Sequence, residues 1–234
     1  MASAYKGRFV GTAVDKAALL SRHPLFRELG REVHERIAAY ATTRHAARGE
    51  TIFMKGDAGT CLFAVCSGTV EVLVPSAAGK NAVMNLINAG EIFGEIALLD
   101  GRPRTADARA FTDCTLMVLE RRDFLPLLRE QPDIAVKLLE ILCARVRRTT
   151  EQVEEIMFLD LEGRLAKALL RLEKSPQAPY RISITQRALS EIVGVSREET
   201  NKQLQLWSKD NIVRLERGGI VVLRAAALTQ IAAE

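Results

Sequence analysis

Eight of the fifteen glycines in this 234-residue chain fall between Gly49 and Gly101, and no other feature limits so sharply what the chain can fold into. Between them lie short alternating or β-branched runs: Thr51-Ile52-Phe53, Cys61 to Val65 and Thr69 to Val74. Apolar runs of this length, punctuated by glycine, predict antiparallel strands joined by tight turns. A further strand pair, Ala82 to Ile87 with Cys114 to Glu120, is expected to close a small β-roll. Residues 15–45 read as helical ahead of it, with an apolar stripe at Leu19, Leu20, Leu25, Leu29, Val33 and Ile37.

Beyond the glycine-rich segment the period changes. Asp123 to Arg129 reads as a short helix stopped at Gln131-Pro132, and a long helix begins near Asp133. Ala135, Leu139, Leu142, Val146, Thr149, Val153 and Ile156 alternate steps of four and three. That is a heptad seam, about 39 Å long at 1.5 Å per residue, and it predicts a parallel pair of helices. A hinge near Phe158 to Asp160 leads to a helix carrying Leu161, Leu165, Leu169 and Leu170, then a loop from Ser175 to Pro179. Arg181 to Ile184 reads as a strand. Thr185 caps a helix ending at Gly194, and Ser196 with Glu199 has the spacing of a capping box opening the next helix. Ile212 to Leu215, Gly218-Gly219 and Ile220 to Leu223 complete a hairpin. Helix, glycine turn, capped helix and hairpin make a winged helix-turn-helix.

Composition excludes several classes. The chain is 48% hydrophobic and 26% charged, with no apolar run of membrane-spanning length and no signal-peptide pattern at its start, so a soluble cytoplasmic protein of two modules is expected. Cys61, Cys66, Cys114 and Cys143 match neither zinc nor redox spacing. His23, His34 and His45 are scattered and carry no assigned chemistry, and no metal site is expected. No nucleophile with a base and no catalytic carboxylate pair stands out, so an enzyme is not expected. Residues 160–234 hold twelve Lys and Arg against nine Asp and Glu, which puts three of the four net positive charges there.

The run Phe93 to Ala106, FGEIALLDGRPRTA, sets Gly94-Glu95 ten residues ahead of Arg104-Thr105. A guanidinium fork suits a phosphate and a fixed carboxylate suits sugar hydroxyls, so a sugar phosphate is the natural guest. The start of the short helical turn from Glu95, with the N–H groups around Ile96 and Ala97, adds a preference for anions. The run resembles the phosphate-binding cassette of cyclic-nucleotide-binding domains. RRTTEQVEEIMFLDLEGRLAKALLRL resembles the dimer helix and hinge of cAMP receptor proteins, and IVGVSREETNKQL resembles their recognition helix.

The chain is thus similar, from about Leu20 to Leu223, to CRP/FNR transcription regulators, closest to the catabolite activator-like and Clr-like cAMP receptors. The resemblance implies an α+β fold: a cyclic-nucleotide-binding β-roll of jelly-roll type over residues 1–132, a dimerisation helix and hinge over 133–159, and a winged helix-turn-helix over 160–234. It implies a pocket of Gly94, Glu95, Ile96, Ala97, Arg104 and Thr105, with Thr149 and Thr150 reaching the purine across a homodimer seam. The family branch that holds an iron–sulfur cluster has clustered cysteines near its N-terminus, which the first sixty residues here lack. cAMP is expected first as allosteric ligand; Thr105, in place of the receptors' usual Ser, also admits cGMP.

On double-stranded DNA, Arg197 is expected to meet guanine, Glu198 cytosine and Lys202 a guanine or phosphate, while Thr185, Gln186 and Ser196 meet phosphates. Lys202 replaces the family's second Arg and Glu199 a Thr that commonly contacts phosphate. RNA polymerase is an expected further partner, and a membrane is not. A nucleotide-binding regulator of another protein would share the cassette without needing the winged module.

Overall fold

A computed structural model of the chain describes residues 16–75, 81–172 and 178–233. In chain order the elements are α1 (Lys16–Arg22), α2 (Arg31–Tyr40), β1 (Thr42–Ala46), β2 (Thr51–Phe53), β3 (Cys61–Ser67), β4 (Thr69–Pro75), β5 (Asn81–Asn88), β6 (Ile92–Phe93), α3 (Glu95–Asp100), β7 (Asp107–Ala110) and β8 (Cys114–Glu120). There follow α4 (Arg121–Glu130), α5 (Pro132–Phe158), α6 (Leu161–Arg171), β9 (Tyr180–Ile182), α7 (Gln186–Val193), α8 (Arg197–Lys209), β10 (Val213–Glu216), β11 (Gly219–Val222) and α9 (Ala225–Ile231). The chain divides into two units, Met1–Pro75 with Met84–Leu142 and Ser76–Val83 with Cys143–Glu234.

The first unit is a roll of two four-stranded sheets, ordered β1-β8-β3-β6 and β2-β7-β4-β5. Their facing residues form one core: Ala46, Phe63, Val65, Phe93, Cys114 and Leu116 from the first sheet meet Ile52, Phe53, Val70, Ile87, Ala108 and Ala110 from the second. The other face of the first sheet, through Leu62, Ala64, Ile92, Met117 and Leu119, packs on Leu20, Phe26 and Ile37 of the N-terminal helical region and on Phe124, Leu127, Ile134 and Leu138 of α4 and α5. β3 is buried on both faces, which is why it reads as an unbroken apolar run rather than an alternating one.

Two expectations are corrected. Residues 42–45 are not helical: Thr42–Ala46 pairs along its whole length with β8, and the preceding helical stretch is broken at Pro24 and Gly30. Residue 15 lies outside the described residues. Nor do Ala82–Ile87 and Cys114–Glu120 pair with each other. β5 lies beside its sequence neighbour β4, while β8 is wedged between β1 and β3 in the other sheet, since strands consecutive in sequence usually neighbour one another. The strands at Thr42–Ala46, Ile92–Phe93 and Asp107–Ala110 carried no readable pattern: β1 buries only Ala46, and β7 buries only the small Ala108 and Ala110.

The long helix spans 27 residues. Ile134 and Leu138 are buried in the first unit's core, whereas seam residues Leu139, Val146, Val153 and Ile156 are 61%, 66%, 49% and 65% exposed. Leu142 of the same seam is half-buried against that core, so the stripe is shared with the helix's own domain at its start and exposed along the rest of its length.

In the second unit, Asp160 caps α6 by accepting from the Gly163 N–H. Glu155, near the end of α5, takes both carboxylate oxygens to Arg171 Nη1 at 2.8 Å, which ties the helix end to α6. Leu165, Leu169, Leu189, Leu204 and Trp207 are buried with Ile220 and Val222 of a sheet ordered β10-β11-β9. Trp207 is core, as its place on the inner face of α8 requires. The loop expected from Ser175 to Pro179 lies outside the described residues up to Gln177.

Candidate functional site: cassette and winged helix

The cassette folds as the turn between β6 and β7. Gly94 precedes α3 in the left-handed region at φ 78°, and a Cβ there would stand 2.6 Å from Arg104 Nη1. Only glycine meets both conditions without strain. Arg104 is held from both sides along its backbone, its N–H donating to Asp57 O at 2.8 Å and its carbonyl accepting from Gly56 N at 2.9 Å. Its side chain turns inward. Nη1 donates to Gly94 O at 2.6 Å, Nη2 donates to Cys61 O at 2.7 Å, and the guanidinium lies 4.3 Å from the centre of the Phe53 ring.

This guanidinium is 4% exposed. Among the described residues no carboxylate lies within ion-pair distance of it, and its Nε has no hydrogen-bond partner. Burying a cation without an anion is costly, and a full-length guanidinium is retained in such a place where an anion can complete it. Glu95, the first residue of α3, is buried at 1% exposure. Ala97 is buried against Gly59, whose missing side chain permits the contact. The structure therefore brings Gly94, Glu95, Ala97 and Arg104 together at one end of the roll. Ile96 and Thr105 are exposed at its surface.

Sequence reasoning missed the aromatic floor of this site, Phe53, Phe63 and Phe93, whose rings stand 4.9 to 5.9 Å apart. It also missed Cys61, whose carbonyl holds Arg104. A backbone acceptor leaves no trace in residue identity, and the phenylalanines sit on three strands far apart in the chain. Burial pushes the Cys61 thiol pKa up, with the Arg104 charge opposing it, so this sulfur is a packing group. Thr149 and Thr150 are exposed on α5, and the Thr150 hydroxyl donates to Val146 O at 3.0 Å within its own helix. That bond is weak competition for an external partner, since a helical Thr exchanges it by one rotamer change.

In the second unit both caps form as the spacing requires. Thr185 Oγ1 accepts from Ala188 N at 3.1 Å. Ser196 Oγ accepts from Glu199 N at 3.1 Å and donates to Glu199 Oε2 at 2.6 Å, and that carboxylate also accepts from Ser196 N at 3.0 Å. Glu199 is thereby turned back onto the helix start, and the Ser196 hydroxyl hydrogen is spent. Arg197, Glu198 and Lys202 are exposed on the first two turns of α8, with Glu198 and Lys202 one helical turn apart on one face.

A groove of about 380 Å³ runs between this helix start and the wing, lined by Thr185, Gln186, Arg187, Arg197, Glu216 and Gly219, among others. Arg187 and Glu216 were not among the sequence candidates, and the hairpin, though expected, was not assigned a place beside the helix start. Arg181 crosses the wing sheet, donating from Nε to Glu216 at 3.2 Å and from Nη1 to the Ser183 hydroxyl at 2.8 Å. A Cβ on Gly219 would stand 2.7 Å from Arg181 Nη2, so that glycine is the space through which the arginine reaches the hairpin.

Comparison with known proteins agrees with both halves. The cyclic nucleotide-binding domain family matches residues 43–131, and the Crp-like helix-turn-helix domain family matches residues 163–231. The cyclic AMP receptor protein of Thermus thermophilus is 34% identical over 209 residues, 89% of this chain and 96% of the relative. The cAMP-activated global transcriptional regulator CRP of Salmonella typhimurium is 32% identical over 178 residues, 74% of this chain and 85% of the relative. The fold is shared with the c-di-GMP-responsive global regulator of Xanthomonas campestris, at TM-score 0.76 and 23% identity, covering 83% of this chain and all of that one. Nucleotide-binding roll, long helix and winged helix-turn-helix define a class of ligand-regulated DNA-binding proteins. Within that class the chain belongs to the CRP/FNR family and is a CRP-like cyclic-nucleotide-binding transcription regulator.

Proposed function

We propose that the protein is a homodimeric transcription factor switched by cAMP that binds palindromic DNA in the cytoplasm. The observation that carries the ligand assignment is the buried, anion-lacking guanidinium of Arg104. A cyclic phosphate supplies the missing charge, and the released Gly94 and Cys61 carbonyls find other donors or share the fork. Glu95 takes the ribose hydroxyl, and Thr149 and Thr150 take the purine, with Gly94, Ile96, Ala97 and Thr105 forming the rest of the cassette. The division of labour follows residues 1–132, 133–159 and 160–234.

The exposed Leu139, Val146, Val153 and Ile156 support pairing through α5, because a single chain leaves these four seam hydrophobics in water. Arg197, Glu198 and Lys202 read base edges, and Thr185 and Gln186 meet phosphates. Ser196, its hydroxyl committed to Glu199, contributes through its helix start. A duplex bound by the dimer presents half-sites about 34 Å apart, and RNA polymerase is the expected downstream partner.

Nucleotide acts by differential affinity: contacts available in only one helix arrangement shift the population toward it, with couplings of about 1–3 kcal/mol. Isothermal titration with cAMP, cGMP and c-di-GMP, paired with gel shifts on a palindromic duplex, tests the scheme. Heat and enhanced DNA affinity with cAMP support it. A response confined to c-di-GMP changes the ligand, and no heat with any of the three removes the nucleotide switch. Nucleotide binding without DNA binding points to a regulator acting on a protein partner.

A further inference from the structure

The last turn of a helix leaves four carbonyls without intrahelical partners. In α3, which carries the cassette, Ala97 O is taken by the Gly101 N–H at 3.0 Å. The next two are taken by a single side chain from another element: Arg121 donates from Nε to Leu98 O at 2.6 Å and from Nη2 to Leu99 O at 3.4 Å. Arg121 is half-buried, and its cation stands at the negative end of the helix dipole. Its own N–H donates to Thr60 O at 2.7 Å, beside the Gly59 that Ala97 packs on.

Arg121 is also the first residue of α4. That helix runs through Gln131 alone into the long helix α5. Leu98 of α3, Phe124 and Leu127 of α4, and Ile134 and Leu138 of α5 share one buried cluster. The cassette helix is thus gripped at its start, where Arg104 holds Gly94 O, and at its end by the residue that opens the path to the seam.

We infer that Arg121 is a positioning residue for the allosteric switch: it ties the cassette helix to α4, so that nucleotide arriving at one end of α3 displaces the root of the long helix. The inference rests on the nucleotide-switch reading above. Arg121 holds carbonyls of α3 and stands at the end remote from Arg104, so its removal acts on transmission more than on nucleotide contact.

The test measures two quantities on the full-length protein, wild type and Arg121→Gln, with Arg121→Lys as the conservative variant: the cAMP Kd by titration calorimetry, and the ratio of DNA affinities with and without saturating cAMP. The expected result is a cAMP Kd within about threefold of wild type, unchanged nucleotide-free DNA affinity, and an enhancement ratio reduced about fivefold or more, the lower end of typical couplings. Arg121→Lys, which keeps the cation at the helix end, is expected to recover part of the ratio. A wild-type ratio in Arg121→Gln overturns the inference. So does a parallel loss of nucleotide and DNA binding, which marks Arg121 as a general fold support. Wild-type protein with no cAMP response strikes the underlying reading instead, so the two failures are distinguishable.

Discussion

At the scale of single residues the cassette is a problem in charge. The Arg104 guanidinium is buried in the roll, in surroundings where an uncompensated ion costs several kcal/mol. Arg104→Ala is expected to weaken cAMP binding at least 100-fold, about 3 kcal/mol, the scale of a broken buried pair. Calorimetric titration checks this, and wild-type affinity contradicts the pocket. Gly94→Ala is expected to lower stability by about 1–2 kcal/mol through its positive φ alone, with the further displacement of Arg104 read as weaker cAMP binding. His23 supplies a pH dependence: burial lowers its pKa below 6.5, opposed by a weak hydrogen bond to the Glu91 carbonyl. The unfolded chain therefore binds the proton first, and stability falls as pH drops through 6.5 toward the folded value. Urea unfolding at pH 7.5 and 5.5 should show that loss, and His23→Gln should lessen it.

At the scale of elements α8 starts on its capping box, with the wing beside it. Ser196→Ala removes the acceptor for the Glu199 N–H and is expected to lower stability by about 1 kcal/mol, measurable by thermal unfolding of the full chain. Arg197→Ala, at an exposed position on the first turn of α8, is expected to change stability little and to cost about 1–3 kcal/mol of DNA affinity at one guanine position. Competition gel shifts with single-position operator variants separate this from a uniform loss, which would mean a phosphate contact. The caps, the Gly194 turn and the hairpin were all legible because each depends on a few adjacent residues with fixed hydrogen-bonding roles. The strands at Thr42–Ala46 and Asp107–Ala110 were not, since their pairing partners, not their own side chains, make them strands.

At the scale of the molecule, a dimer through α5 predicts that Leu139→Glu with Val146→Glu, both on the exposed stripe, gives monomers by sedimentation velocity and a loss of cooperative operator binding, while the roll still binds cAMP. By itself the sequence determined the nucleotide-binding and helix-turn-helix modules, the heptad spacing along α5, the cassette run and the capped start of α8, because local periodicity and hydrogen-bonding chemistry act over a few residues. Only the tertiary structure decided that β5 and β8 lie in different sheets, that Phe53, Phe63 and Phe93 floor the cassette, that Arg104 turns onto the carbonyls of Gly94 and Cys61, and that Arg121 grips the far end of α3. Those contacts join residues remote in the chain, often through backbone atoms that every residue shares, so their selection rests on packing and on satisfying buried charge rather than on any pattern along the chain.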